Sequence, residues 1–216
     1  FKVDGKEYYN ERAIATQQTG FWFVSQSRPA LPDVIGSVIW FGCDDAATSY
    51  LTPIYVSTLR VPHCFEHGNG DMLTYSSESA FWMCNRVANA CYKAYDIMAP
   101  IVRAKAEAYE DWCSHALAGW DAAALELYAK KPAKVPALLT ECCCKAADEV
   151  FVQWTRLEEY LLIKYIDGNV KAQNEDGSFK HTEYFEGTPD GMTQPGYTEK
   201  WKEAVAKDHG PVIESK

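Results

Sequence analysis

The sequence predicts an α+β protein in which short strands come first, long helices follow and an irregular segment comes last. Residues 21–26 and 36–42 are rich in aromatic and β-branched side chains, as strands are. Further along, apolar residues instead recur every three or four positions, which is the period of a helix face. The chain therefore divides into a β-rich part at 1–75, a helical part at 76–170 and an extended segment at 171–216.

Three strands are expected in the β-rich part. The first, at 21–26, ends before Arg28-Pro29, because proline has no amide hydrogen for a strand ladder. The second, at 36–42, has glycine at both boundaries. The third, at 50–57, contains Pro53, which makes it the least regular of the three.

A long amphipathic helix is predicted after Ser76 and Ser77, which are suitable N-cap residues. Its apolar face would carry Phe81, Asn85, Ala88, Tyr92, Tyr95 and Met98. Pro100 is expected to kink or divide this helix. Helical character continues to about residue 117, and Trp112 is expected to point inward.

Two further helices are expected before the extended segment. Asp121 is a candidate N-cap for a short helix reaching Tyr128, and the basic, proline-marked stretch 130–136 reads as a linker. The next helix should end at 167–169. Its apolar stripe is Leu139, Cys143, Ala146, Val150, Trp154, Leu157, Leu161 and Tyr165.

The segment after residue 171 is rich in glycine and polar residues, with one short helix expected at 197–206. Its aromatic residues argue that it packs along the body of the protein, because disordered tails contain few aromatics. They are Phe179, Tyr184, Phe185, Tyr197 and Trp201.

Composition excludes two classes of function. A net charge of −9 and a pI near 5.1 repel nucleic acid, and no basic run interleaved with aromatics offsets that charge. No apolar run approaches the ~20 residues that a transmembrane helix needs.

Eight cysteines in 216 residues are too few for a small disulfide scaffold, and most are expected to be packed thiols in helices.

Three polar side chains near the first strand are candidates for substrate binding. Arg12 precedes an apolar stretch, where its guanidinium would clamp a carboxylate through paired hydrogen bonds. Gln26 and Arg28 lie where that strand meets a proline turn, a usual place for binding groups. For Arg28 the preferred interpretation is structural, as a salt bridge that anchors the loop.

Asp44 and Asp45 follow the second strand. Paired acids can perform acid/base work, but neighbours on an extended strand point in opposite directions and so do not readily share a proton. One of them would orient a substrate amine. The alternative, favoured on the residues alone, is that both are solvated or cap the backbone.

Metal binding is not expected. His63 and His67 would share a face only on a helix, whereas Pro62 and the glycines at 68 and 70 favour a loop. The three adjacent thiols at 142–144 fan out around a helix, since successive residues are about 100° apart. No Ser-His-Asp, P-loop, GxSxG or GxGxxG pattern is present.

Five blocks of sequence, taken together, resemble the C-terminal half of the dipeptidases related to secernins, a branch of the N-terminal-nucleophile hydrolases. The blocks are Arg12-Ala-Ile-Ala-Thr16, Phe23-Val-Ser-Gln-Ser-Arg28-Pro-Ala-Leu-Pro32, Ile35-Gly-Ser-Val-Ile-Trp40, Tyr50-Leu-Thr-Pro-Ile-Tyr55 and Ser79-Ala-Phe-Trp82. The resemblance is closest over residues 12–95 and weaker through the later helices.

This resemblance implies that the strands belong to an Ntn-hydrolase-type αββα sheet and that the protein hydrolyses dipeptides. It implies an N-terminal cysteine as nucleophile, with its own α-amine as base and no metal or cofactor. Phe1 has no nucleophilic group, so we expect the cysteine upstream, no catalytic residue in this chain, and no peptidase activity from these 216 residues alone. The expected partners are a short peptide and the upstream half of the same protein, with a homo-oligomer possible in principle.

Within this scheme the substrate-binding candidates are Arg12, Gln26, Arg28, Asp44 and Asp45, with the cations meeting the substrate carboxylate and the acids its ammonium. Two alternatives remain open: a non-catalytic protein-binding or scaffold module, and a related amide hydrolase of the same superfamily. The resemblance to proteins with a removable leader favours an extracytoplasmic location, although the residues themselves leave the compartment open.

Overall fold

The computed structural model describes residues 1–9 and 11–208, and these fall into two compact units that divide between Tyr160 and Leu161. The α+β prediction is confirmed. The first unit opens with a small antiparallel hairpin of β1 (Lys2–Val3) and β2 (Lys6–Glu7), turned at Asp4 and Gly5 with positive φ. Strands of two residues are too short for a composition pattern to predict them.

A three-stranded antiparallel sheet follows, in the order β3 (Phe21–Ser27), β4 (Ser37–Cys43) and β5 (Thr52–Tyr55). A single helical turn, α1 (Asp33–Gly36), joins β3 to β4. All three predicted strands are confirmed, the third in shortened form. Pro53 is tolerated inside β5 because that strand lies at an edge of the sheet, where its partner-free side needs no amide hydrogen.

Three helices pack with this sheet: α2 (Ala80–Cys91), α3 (Tyr95–Lys130) and α4 (Val135–Tyr165). Short 3₁₀ turns lie at His63–Phe65 and at Pro132–Lys134. The second of these is the predicted linker between helices, although α4 already begins at Val135. The apolar stripe predicted for α4 is confirmed over the first unit, where Leu139, Cys143, Val150 and Trp154 are buried.

The first long helix differs from the prediction at both its start and its division. Ser79 occupies the N-cap position of α2, whereas the Ser76 hydroxyl accepts the Glu78 N–H in the preceding turn. The break between α2 and α3 falls at residues 92–94, with Ala94 in a non-helical conformation (φ −153°, ψ 70°). Pro100 lies within α3 and does not divide it, so the division expected at that proline was wrong, while a kink there stays a prediction.

Two expectations for α3 were also wrong. Trp112 is 46% exposed, and its ring stacks on that of the buried Tyr109 with 5.9 Å between the ring centroids. Asp121 is not an N-cap, because α3 runs unbroken through it. Its side chain instead pairs with Arg28 and accepts the Tyr55 hydroxyl proton at 2.7 Å.

The main core of the first unit joins the sheet to α3 and α4. Its buried members are Ile35, Val38, Tyr55, Leu117, Ala124, Val135, Leu139 and Cys143. A second, smaller cluster of Cys64, Ala80 and Ala147 lies under the turn that precedes α2. Because burial of apolar surface is the main stabilising contribution, these contacts fix the start of β4 against the helices.

The second unit, described as far as residue 208, has little regular structure. Asp167 and Gly168 adopt positive φ in the 3₁₀ turn Ile166–Gly168, which ends the preceding helix as predicted. Isolated β-bridges such as Val170↔Thr193 follow, and then α5 (Glu199–Lys207), which confirms the short helix expected near the end. The packing of the tail aromatics along the body stays a prediction.

The helices of the described residues were also compared with what a bilayer requires. None of them combines the length and the apolar character needed to cross one.

Candidate functional site

The chain turns sharply where β4 ends. Asp44, the first residue after the strand, adopts a left-handed conformation with φ of 66°, which is uncommon for residues other than glycine. Asp44 and Asp45 are then only 1% and 6% exposed. The expectation that both are solvated was therefore wrong, because the turn directs the pair toward α2 instead of into water.

Asp45 is held by donors on both carboxylate oxygens. Oδ1 accepts the backbone N–H of Ala47 at 3.0 Å, so the capping alternative is right for this residue. Oδ2 accepts the hydroxyl proton of Tyr92 at 2.7 Å. Burial, followed by this hydrogen bond, raises the pKa of Tyr92, so the phenol remains a donor at neutral pH.

Asp44 has a different environment. Its Oδ1 accepts an N–H of the Asn85 side chain at 3.1 Å, while Oδ2 is buried with no hydrogen-bond partner among the described residues. Burial raises the pKa of Asp44 above its ordinary value. An unsatisfied buried carboxylate oxygen is rare in folded proteins, and a functional role is one of the explanations for it.

A recess of about 490 Å³ opens beside this pair of acids. It is lined by Ala15, Thr16, Gln17, Asp45, Ala47, Tyr92 and Tyr95. We call it the acidic recess, because Asp45 is the only charged residue in that lining. A pocket with one carboxylate and two tyrosine rings favours a cationic group of a ligand.

Arg12 lies three residues before the wall of the acidic recess formed by residues 15–17. Its guanidinium donates to the Gln18 side-chain oxygen at 3.2 Å in an exposed position. The turn between them is fixed by the Thr16 hydroxyl, which accepts the Gln18 N–H at 3.2 Å. Arg12 is therefore near the recess without lining it, and its contact with a substrate carboxylate stays a prediction.

Gln26 and Arg28 lie away from the acidic recess. The Gln26 side-chain oxygen accepts the Trp40 indole N–H at 3.2 Å. The Arg28 guanidinium pairs with Asp121 and donates to the Ile35 carbonyl at 2.6 Å. The structural interpretation of Arg28 is thus confirmed, since this salt bridge anchors the loop after β3 to α3.

The structure brings Asp45 together with residues that the sequence patterns did not mark as functional. Tyr92 and Tyr95 were assigned to the packed face of a continuous helix, and Asn85 to the same face. The helix break at residues 92–94 instead directs both tyrosines to the recess. No periodicity signal would have found them, because helical periodicity assumes that the helix continues.

No alternative chemistry emerges from the histidines or the thiols of the described residues. Among these residues no group of three or more His, Cys, Asp or Glu side chains is placed to hold a metal ion. His63 pairs with Glu66 and Glu78 instead. All eight cysteines are free.

Comparison with known proteins adds an independent finding. The model of peptidase family C69 matches residues 2–108. The N-terminal half of this chain thus resembles peptidase family C69. No curated protein matches the chain. The family match supports a peptidase function, and it agrees with the resemblance carried by the five sequence blocks.

The matched segment, residues 2–108, contains every residue that lines the acidic recess, from Ala15 to Tyr95. It also contains both buried acids and Asn85. A second cavity, of about 300 Å³, lies between α3 and α4 with Trp112, Trp120 and Glu149 in its wall, and its lining begins only at residue 112. The acidic recess is therefore the candidate site for the activity of the family.

The thiols of this chain are poor nucleophiles. Burial raises the pKa of each one, to about 12 for Cys43, Cys64, Cys113 and Cys143 and to about 11 for Cys91. The pKa values of Cys84, Cys142 and Cys144 are raised by burial as well. Because the thiolate is the reactive form, almost none would be available at neutral pH.

Proposed function

We propose that this chain supplies the substrate-binding part of a cysteine-type dipeptidase. The observation that carries the proposal is the C69 match, since the matched residues include the whole acidic recess. The recess has the size and charge to receive the ammonium end of a short peptide. A dipeptide carries a protonated amine close to its scissile bond, so a carboxylate at a fixed position orients that bond.

Asp45 is the proposed ammonium anchor. Its carboxylate is nearly buried, lies in the recess wall, and has no lysine or arginine beside it in that wall. A carboxylate offers about four acceptor positions, and two are used by Ala47 and Tyr92. The remaining positions are available to a ligand ammonium, and the low dielectric of a partly buried site strengthens that interaction.

The thiol of the proposed reaction is a cysteine other than the eight of this chain. Their raised pKa values support that assignment. The thiolate attacks the peptide carbonyl carbon, the C–N bond breaks as the leaving amine takes a proton, and a thioester forms. Water then attacks the thioester, releasing the carboxylate product and restoring the thiol. As in the family this sequence resembles, the α-amine of the nucleophilic residue would transfer the proton.

The free edge of β3 supports a structural role for another part of the same polypeptide. Among the described strands β3 pairs only with β4, and it carries no charged residue and no proline. Phe21 and Phe23 on this strand are 61% and 56% exposed. Sheet edges left open to solvent are normally protected by charges, bulges or proline. We therefore assign this edge to pairing with a strand from the half of the protein that bears the nucleophile.

Dipeptide hydrolysis by the natural gene product, beside this 216-residue chain, tests the proposal. We expect the natural protein to release amino acids from unmodified dipeptides, and the chain alone to release none. Peptide-bond cleavage by the chain would contradict the assignment of the nucleophile. A natural protein inactive on a panel of dipeptides and N-acyl amides would instead contradict the peptidase function, and activity on N-acyl amides alone would favour the related amide hydrolase.

The assignment of the β3 edge has a separate test in amide hydrogen exchange. The residues of β3 should exchange slowly in the natural protein and more quickly in the isolated chain, while those of β4 should be protected in both. Equal exchange of β3 in the two proteins would show that no strand pairs with this edge.

A further inference from the structure

We propose that Tyr92 is the positioning residue that orients Asp45 for recognition of the substrate ammonium. This inference rests on the proposed function and assigns a specificity role to a residue that neither the sequence blocks nor the family match marks. The hydrogen bond from the Tyr92 hydroxyl to Asp45 Oδ2, 2.7 Å long, is the contact that carries it.

Two backbone features bring these side chains together. The left-handed conformation of Asp44 (φ 66°) turns the chain out of β4 and places Asp45 at the recess. The end of α2 at Cys91, followed by the non-helical Ala94, places Tyr92 opposite Asp45. Uncommon backbone conformations persist where the surrounding structure holds them, and they concentrate at functional sites.

Tyr92 is held firmly on its own side of the contact. Its backbone N–H donates to the Ala88 carbonyl, and both Ala88 and Cys91 are fully buried in the last turn of α2. The backbone of Tyr92 is therefore fixed by the core, while its hydroxyl reaches the recess. A side chain supported in this way reduces the freedom that its hydrogen-bond partner must lose when a ligand binds.

The arrangement leaves Asp45 with a defined free side. The Ala47 N–H occupies Oδ1 and the Tyr92 hydroxyl occupies Oδ2, so the carboxylate plane has one orientation. Its unused lone pairs are available to a ligand, and the rings of Tyr92 and Tyr95 line the same recess. Aromatic faces attract cations, so these rings and the carboxylate favour the same ligand group.

The decisive experiment is a cycle of two proteins and two substrates. The natural protein and its Tyr92→Phe variant are assayed on L-alanyl-L-alanine and on propionyl-L-alanine, which has hydrogen in place of the ammonium. We expect Tyr92→Phe to lower kcat/KM about tenfold on the dipeptide, mainly through KM, because a hydrogen bond to a charged acceptor is lost. On propionyl-L-alanine the change should be less than about twofold.

A purely structural role for Tyr92 would reduce both rates equally, and that result would overturn the inference while leaving the peptidase function intact. Tyr128→Phe, an exposed position on α3, is the matched control and should change neither rate. The Tyr92→Phe variant should also keep the circular dichroism spectrum and melting temperature of the natural protein to within a few degrees.

A binding measurement decides the inference even if no peptidase activity is found. Protonated L-alaninamide, which has the ammonium without the carboxylate, is titrated into this chain and followed by NMR. We expect chemical-shift changes at Asp45 and Tyr95, and weaker binding by Tyr92→Phe. Absence of those shifts in the unmodified chain, or equal affinity of the two proteins, would overturn the assignment.

Discussion

Two clusters of charged and tyrosine side chains in the first unit are built from similar groups but differ in what they leave open. In the closed cluster, Arg28 pairs with Asp121, Tyr55 donates to the same carboxylate at 2.7 Å, and the Arg28 guanidinium also donates to the Ile35 carbonyl. In the acidic recess, Asp45 is held by a tyrosine and a backbone N–H, and no cation is among the lining residues.

This difference indicates that the closed cluster contributes to stability and the acidic recess to ligand binding. A carboxylate whose charge is balanced by a partly buried guanidinium contributes to holding the loop after β3 against α3. A carboxylate held by neutral donors keeps its charge available to a ligand. The comparison predicts that substitutions in the closed cluster change the free energy of unfolding, whereas substitutions at the recess change the activity.

The largest expected effect on stability is that of Asp121→Ala. The Arg28 guanidinium would lose its ion pair while remaining mostly buried, and Tyr55 would lose its acceptor. We expect a decrease of about 3 kcal/mol in the free energy of unfolding, measured by urea denaturation. Asp111→Ala on the same helix is the control, with a change of about 0.5 kcal/mol or less. Equal effects of Asp121→Ala and Asp111→Ala would show that the closed cluster does not contribute specially to stability.

Asp45→Asn should have the largest effect on activity. The amide oxygen can still accept the Ala47 N–H, so we expect the free energy of unfolding to change by less than about 1 kcal/mol. Loss of the negative charge should lower kcat/KM of the natural protein on dipeptides by about 30-fold or more. A variant that is fully active would show that the ammonium binds elsewhere, and one that is unfolded would place Asp45 with the structural cluster.

The sequence was sufficient for the features that depend on local composition. Strands β3, β4 and β5 were expected because aromatic and β-branched residues are bounded by glycine or proline, and α4 because its apolar stripe keeps one period. The resemblance carried by the five blocks agrees with the C69 match. The salt bridge of Arg28 was also anticipated, although its partner was not.

The features that were not predicted depend on contacts between residues that are far apart in the sequence. Asp121 lies 93 residues from Arg28, so local patterns suggested an N-cap instead of an ion pair. The helix break at 92–94 contains Lys93 and Ala94, both good helix formers, so the local sequence gives no sign of it. The positive φ of Asp44 likewise has no signal in the sequence beyond the tolerance of aspartate for that conformation.

Tyr55→Phe sharpens the comparison with a smaller change in the closed cluster. The Arg28–Asp121 pair remains, but Asp121 Oδ1 loses the hydroxyl donor. We expect the free energy of unfolding to fall by about 1 kcal/mol in urea denaturation. Tyr9→Phe, at an exposed position, should cause no measurable change. A Tyr55→Phe effect as large as that of Asp121→Ala would show that the hydroxyl, and not the ion pair, stabilises the cluster.

The smallest effect is expected for Asp44→Asn, and its sign depends on pH. Burial raises the pKa of Asp44 above its ordinary value of 3.8, so the folded state retains the proton at pH values where the unfolded state has lost it. The contribution of Asp44 to stability is therefore fully present below the unfolded pKa and is lost as pH rises through the folded pKa. Asn85 can still donate to the oxygen of an asparagine at this position, while the buried charge is absent. At pH 7 the free energy of unfolding of Asp44→Asn should exceed that of the unsubstituted protein by about 1 kcal/mol or less, and the difference should disappear near pH 3.

Urea denaturation between pH 3 and pH 7 measures this difference. A variant that is less stable at pH 7 would mean that ionised Asp44 has a stabilising partner.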